Sequence, residues 1–167
     1  MRRLWLFYAG PENVLDRTGV RQFAGHLRWS CTPDVAAGDV AILYRPSLGK
    51  ISATAMVEAF GMSTEIAQTV KRQAIGSDLA AVWRVTSGNL GPLHDWEASC
   101  DVEPVADIQP PITLRELKAI SALRKWEDLR WNFQAQGRAA LLVPDVAWAV
   151  LRDMIGDRIG DKRDLLQ

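Results

Sequence analysis

The run Val40 to Tyr44 is apolar at every position and lies between a turn at Ala37-Gly38-Asp39 and a break at Arg45-Pro46. A short, wholly apolar run between turn residues reads as a strand buried on both faces. Just upstream, Arg28-Trp29-Ser30 precedes a turn at Thr32-Pro33-Asp34. A Trp beside a Ser offers a flat π-face next to a small hydrogen-bonding group. A single planar ligand, such as an unstacked base, is held with those parts. The plainer account of the same residues is a core Trp at a strand end.

The rest of the chain is a series of short runs divided by turn residues. Leu4 to Tyr8 predicts a buried first strand closed by Gly10-Pro11, and Pro11 to Phe23 a partly helical segment. Ile51 to Phe60, apolar at Ile51, Ala53, Ala55, Val57 and Ala59, predicts a strand antiparallel to Val40–Tyr44 across a turn at 46–50. Ser63-Thr64-Glu65 opens a helix to about Gln73, and Leu79 to Val85 reads as a strand. Leu93 to Ala106 is acidic and aperiodic, a loop with one irregular strand, and Pro110-Pro111 is expected to stop the sheet. Thr113 and Glu116 form a capping box for a short helix to about Ile120. Leu123 to Trp131 gives an amphipathic turn or two, 132–138 a polar loop and Ala139 to Val143 the last strand.

Pro144-Asp145 starts a final helix, with Val146, Val150, Leu151, Met154 and Ile155 as its apolar stripe and Gly156 as its expected stop. Five or six strands and two or three flanking helices, with no strand–helix alternation, predict an α+β fold with a small curled sheet or barrel. One domain is expected over residues 1–156. The charged tail, 157–167, is expected to fray, with Leu165 and Leu166 as weak anchors.

Twenty basic and twenty acidic residues give zero net charge, which argues against a protein that coats nucleic acid by charge alone. The balance is uneven: residues 51–110 carry three basic against eight acidic, whereas both ends are basic. Seven Trp residues stand out, three of them directly after a basic residue: Arg28-Trp29, Lys125-Trp126 and Arg130-Trp131. Basic side chains interleaved with aromatics suit a surface that holds phosphates and stacks bases. A Trp-rich core with snorkelling basic neighbours fits the same pattern.

Cys31 and Cys100 have no metal-ligand spacing, and no catalytic motif of the GxSxG, HExxH, P-loop or GxGxxG type occurs. His26 and His94 lie in unrelated stretches, and Cys31 near His26 reads as a small buried hydrophobe. Asp95, Glu97, Asp101 and Glu103 are the candidates for a nuclease metal site and read better as a solvated acidic loop. A non-catalytic protein without metal or cofactor is expected, with a nuclease as the lesser alternative. No leader peptide or apolar run near 20 residues is visible, so a cytoplasmic protein without a membrane anchor is expected.

The ordered set of pieces resembles the EVE domains of the PUA-like superfamily, relatives of the YTH readers. It comprises Trp5-Leu6-Phe7, Gly19 to Phe23, Trp29-Ser30 leading into Ala37-Gly38-Asp39-Val40 and a strand ending at Tyr44. Ile51 to Val57, Leu79 to Val85, Pro111-Ile112-Thr113-Leu114-Arg115-Glu116-Leu117, Gln134 to Arg138 and Pro144 to Trp148 follow in order. The likeness spans roughly residues 3–155, and the stretch between Arg21 and Gly38 is closer to the variants attached to restriction systems.

The resemblance implies a PUA-like barrel that takes a flipped nucleobase without changing it. A modified cytosine in DNA is favoured, RNA remains open, and a separate nuclease or ATPase is a possible partner. Trp29 would stack on the base, with Ser30 at its edge and Trp96, Trp131 or Phe133 as the second wall. Tyr44, Gln134 and Gln136 would complete the pocket, and Arg28, Arg45, Arg130 and Arg138 would hold phosphates. The competing reading is a protein-interaction module with exposed Trp and Arg anchors.

Overall fold

A computed structural model describes residues 2–9, 27–47, 51–72, 76–93, 95–134 and 137–166. The helical reading of Pro11 to Phe23, both histidines and Gln136 lie outside these residues. Six strands form one curled mixed sheet in the order β2-β5-β4-β3-β1-β6. They are β1 Leu4–Tyr8, β2 Leu27–Cys31, β3 Val40–Arg45, β4 Asp78–Ser87, β5 Ala98–Thr113 and β6 Ala140–Leu142. Among the described residues five α-helices accompany them: α1 Ala53–Phe60, α2 Thr64–Arg72, α3 Leu114–Lys118, α4 Glu127–Arg130 and α5 Asp145–Ile159. The architecture is the expected α+β one, a curled sheet with flanking helices, with more helix than the sequence suggests.

β3 is the centre of this arrangement. Every residue from Val40 to Arg45 is buried. The strand pairs parallel with β1 and antiparallel with β4. Strand side chains alternate between faces, so the sheet supports two cores. Leu4, Leu6, Val40 and Ile42 meet Leu151 and Ile155 of α5 on one side. Trp5, Phe7, Ala41 and Leu43 meet Met56 of α1 and Ala67 and Val70 of α2 on the other. The turn before β3 works as an anchor. Gly38 supplies a φ of +90°, and the buried Asp39 carboxylate accepts bonds from Trp5 Nε1 (2.9 Å), Arg3 N (3.0 Å) and Ala36 N (3.0 Å).

The structure corrects four expectations. Ile51–Phe60 is not a strand: α1 occupies it, because Ser52 caps the start (Ala55 N to Ser52 Oγ, 3.1 Å) and Gly61 at φ +68° ends it. Ala at 53, 55 and 59 favours helix over strand, and the antiparallel partner of β3 is β4 instead. β2 occupies Leu27–Cys31, where Leu27, Trp29 and Cys31 alternate with Arg28 and Ser30, a strand that the series of runs above does not include. β5 runs through Pro110-Pro111 because the β4–β5 register jumps there, from Leu79↔Ile112 to Ala81↔Asp107. The prolines sit in that bulge, where no ladder N–H is required of them. Finally, α5 passes Gly156 and reaches Ile159, and Gly160–Leu166 forms a 3₁₀ helix that buries Leu166 in the first core. Gly156 lies inside the helix rather than at its end, and the Arg163 side chain lies over it. No helix among the described residues is long and apolar enough to cross a membrane.

Candidate functional site

The fold sorts the seven Trp residues. Trp5, Trp83 and Trp126 are buried, Trp29, Trp96 and Trp148 are half-buried, and Trp131 is 57% exposed. Trp29 lies on β2, edge-to-face with Trp83 at 4.9 Å and 80°, against the second core. Consecutive strand residues point to opposite faces, so Ser30 and Trp29 do not line one surface together. Trp96 sits in the β4–β5 connection, where Leu93 and Trp96 exchange backbone hydrogen bonds at 3.0 and 3.1 Å.

The basic residues named from sequence are mostly neutralised. Arg28 lies directly opposite Asp101 on β5 and bonds it at 3.1 Å. One strand further on, Arg84 faces Glu103 at 3.4 Å. These cross-strand pairs also take up two members of the acidic run, and no metal-binding cluster of three or more ligand side chains occurs among the described residues. Arg45 is buried and bonds Asp78 through both carboxylate oxygens, at 2.7 and 2.8 Å. It locks the end of β3 to β4 and is not placed to meet a phosphate. Burial raises the Tyr44 hydroxyl pKa, and the Ser77 hydrogen bond opposes that shift.

A second group of named residues does come together, on the segment that leads from α4 to β6. Phe133 is buried against Tyr44 (5.1 Å) and Trp126 (5.0 Å). Tyr8 Oη donates to its carbonyl at 2.5 Å, and burial, followed by the nearby Asp128 charge, pushes the Tyr8 pKa up. Tyr44 and Phe133 are closed to solvent and packed on each other, so they support the site rather than present an open face. Asn132 and Phe133 both adopt left-handed backbone, φ +56° and +54°. Such conformations cost non-Gly residues about 1–2 kcal/mol each, and here the buried Phe133 ring and the Tyr8 bond hold them. The reversal leaves Trp131, Gln134 and Arg138 outside.

The Trp131 indole is oriented by Nε1 donating to Glu127 Oε1 at 3.0 Å. Arg130 lies 3.8 Å from Glu127, and Arg138 bonds Asp128 at 3.1 Å. Four exposed cations that are not among the named phosphate contacts lie on α3 and just before α4: Arg115, Lys118, Arg124 and Lys125. Lys118 and Arg124 stand with Arg130 around one hollow. None of the four has an ion-pair partner among the described residues. Between 115 and 125 the one acidic residue is Glu116, and it already bonds Arg158 at 2.7 Å. The Arg158 guanidinium, with Thr113, holds the Glu116 carboxyl below its usual range. The signal was present as a basic run, but the fate of Glu116 depends on a residue 42 positions away.

No protein-family model and no curated protein sequence matches the chain. Its fold is shared with solved structures. A Rhodopseudomonas palustris protein, Rpa0253, superposes over 92% of this chain and 93% of its own at 15% identity, with a TM-score of 0.53. A hypothetical protein from Leishmania major does so over 94% and 96% at 13% identity, with a TM-score of 0.56. Human THYN1, solved in complex with 5-methylcytosine-containing DNA, aligns over 92% and 97% at 13% identity, with a TM-score of 0.49, a likeness too loose to transfer a ligand or residue roles.

Proposed function

We propose that this chain binds nucleic acid through the face formed by α3, α4 and the segment after them, and that it reads a single unstacked base there without chemical conversion. The observation that carries the reading is one exposed, oriented indole, Trp131, next in the chain to Arg130, which shares a hollow with Lys118 and Arg124, two of the four cations on α3 and before α4 whose charge no described acid neutralises. An indole face stacks a base of any sequence, and clustered cations follow the phosphates. Trp131 is the stacking platform. Gln134, exposed three residues on, is the candidate for the base edge. Arg115, Lys118, Arg124 and Lys125 supply phosphate contacts. Arg130 and Arg138 add to them, since their exposed ion pairs are screened by water and salt and hold the cations only weakly.

The resemblance to EVE domains supports the choice of a flipped base, with modified cytosine in DNA favoured. Extrusion costs a few kcal/mol, offset by stacking at about 1–3 kcal/mol per base. The test is fluorescence anisotropy on one short duplex and its single strands, as DNA and as RNA, at one stated salt concentration. Each DNA is tested plain and with methylated or hydroxymethylated cytosine or methylated adenine. The expected result is binding of micromolar strength or better, at least tenfold tighter to one modified form, about 1.4 kcal/mol. Uniform binding to all forms would keep the nucleic-acid reading and remove base reading. Absence of binding would move Trp131 to the protein-interaction reading.

A further inference from the structure

A pocket of about 310 Å³ opens between α3, the 3₁₀ turn Ser121–Leu123 and α4. Leu117, Ile120, Leu123 and Leu129 form its walls and floor, and Lys118, Arg124 and Arg130 stand around it. Leu117, Leu123 and Leu129 are core residues, so their positions are fixed by packing, whereas the three cations are solvent-exposed. No acidic side chain is among the described lining residues.

This chemistry selects its occupant. The lining side chains are hydrocarbon inside and cationic donors at the mouth. A nucleobase would bring ring nitrogens and amino groups against walls without neutral side-chain partners, and each polar group left unpaired there is unfavourable. A hydrocarbon body has no such demand, and each CH₂ it buries is favourable. The volume falls at the small end of ligand sites. Three like charges at one mouth, two of them without an ion-pair partner among the described residues, favour an anion.

We propose that this pocket is a binding site for a small amphipathic anion: an aliphatic chain or ring of hydrocarbon ending in a carboxylate or phosphate. Its hydrocarbon body lies among Leu117, Ile120, Leu123 and Leu129, and its head group meets Lys118, Arg124 and Arg130. The site does not depend on nucleic-acid binding, and its test contains no nucleic acid.

The full chain is titrated calorimetrically with octanoate and octyl phosphate, and with octanol and octylamine as the uncharged and cationic counterparts. The expected result is saturable 1:1 binding of at least one anion, at least tenfold tighter than octanol, with no binding of octylamine. The tighter of the two anions identifies the head group. The double variant Lys118→Gln/Arg124→Gln, both exposed, should melt like the parent and bind the anion at least tenfold more weakly. Ile120→Glu, half-buried at the wall, should abolish anion binding through the introduced charge. Failure of both anions to bind saturably, octanol binding as tightly as the anions, or undiminished binding in the folded double variant would each overturn the proposal.

Discussion

The sheet and the α3–α4 face treat positive charge in opposite ways. On the sheet, Arg3, Arg28, Arg45 and Arg84 each lie within 4.0 Å of a carboxylate. On the α3–α4 face, Arg115, Lys118, Arg124 and Lys125 have no acidic partner among the described residues. The two regions also treat Trp differently. Trp29 packs its ring on Trp83, whereas Trp131 holds its ring in solvent by one hydrogen bond. A basic–aromatic dipeptide therefore has two uses in this molecule, and its environment decides between them. Where a carboxylate on a neighbouring strand holds the cation, the pair is architecture. On α3 and just before α4 no described carboxylate does, and beside it Arg130 has only an exposed 3.8 Å contact to Glu127, so the charge there is available to a ligand.

The sharpest break in this contrast is Asp78→Ala, which would take the two-oxygen carboxylate contact away from the buried Arg45 guanidinium. The expected cost is about 3–5 kcal/mol, read as a lower midpoint in urea unfolding. A smaller loss would mean that water reaches the β3–β4 end. Trp29→Ala comes next, at about 2–3 kcal/mol, below the roughly 3–5 of a fully buried Trp. If it leaves stability unchanged and removes nucleic-acid binding, Trp29 belongs to the site and the division drawn here fails.

Trp131→Ala should behave the other way. Unfolding should change by no more than about 0.5 kcal/mol, while affinity for a single-stranded oligonucleotide falls by about 1–3 kcal/mol. The smallest effect concerns the Glu116–Arg158 contact between α3 and α5. Because Glu116 titrates below its ordinary value of about 4.3, this contact adds stability above that pH and loses it as pH falls through the lower folded value. Thermal melts from pH 6 downward should show an acid-dependent loss that Glu116→Gln reduces, modest because the side chain is 42% exposed. Equal acid sensitivity in the variant would assign the loss to other carboxylates.

Much of the fold was legible because it rests on local chemistry. Apolar runs marked β1, β3, β4 and β6, and the Thr113–Glu116 capping box marked the start of α3 to the residue. Alternating Ala residues misled at α1, since a small apolar residue fits either period and the decision rests with Ser52 and Gly61. β5 crosses two prolines thanks to a register shift set by its partner strand. The site was less legible for the same kind of reason. Asp101, which occupies Arg28, is 73 residues away, so Arg28 and Arg130 look alike in sequence. The residues named on the segment after α4 do gather, but Lys118 and Arg124 gain their meaning from Glu116 being paired elsewhere.

The central claim, that unpaired charge marks the ligand face, is tested most directly by the salt dependence of binding. Affinity for one oligonucleotide is measured over a range of salt concentrations for the parent, Arg124→Gln and Arg28→Gln. Arg124→Gln is expected to flatten the log–log slope by about 0.7–0.9, one phosphate contact, and Arg28→Gln to leave it unchanged. A flattened slope for Arg28→Gln with an unaltered one for Arg124→Gln would contradict the claim and place the nucleic acid on the sheet.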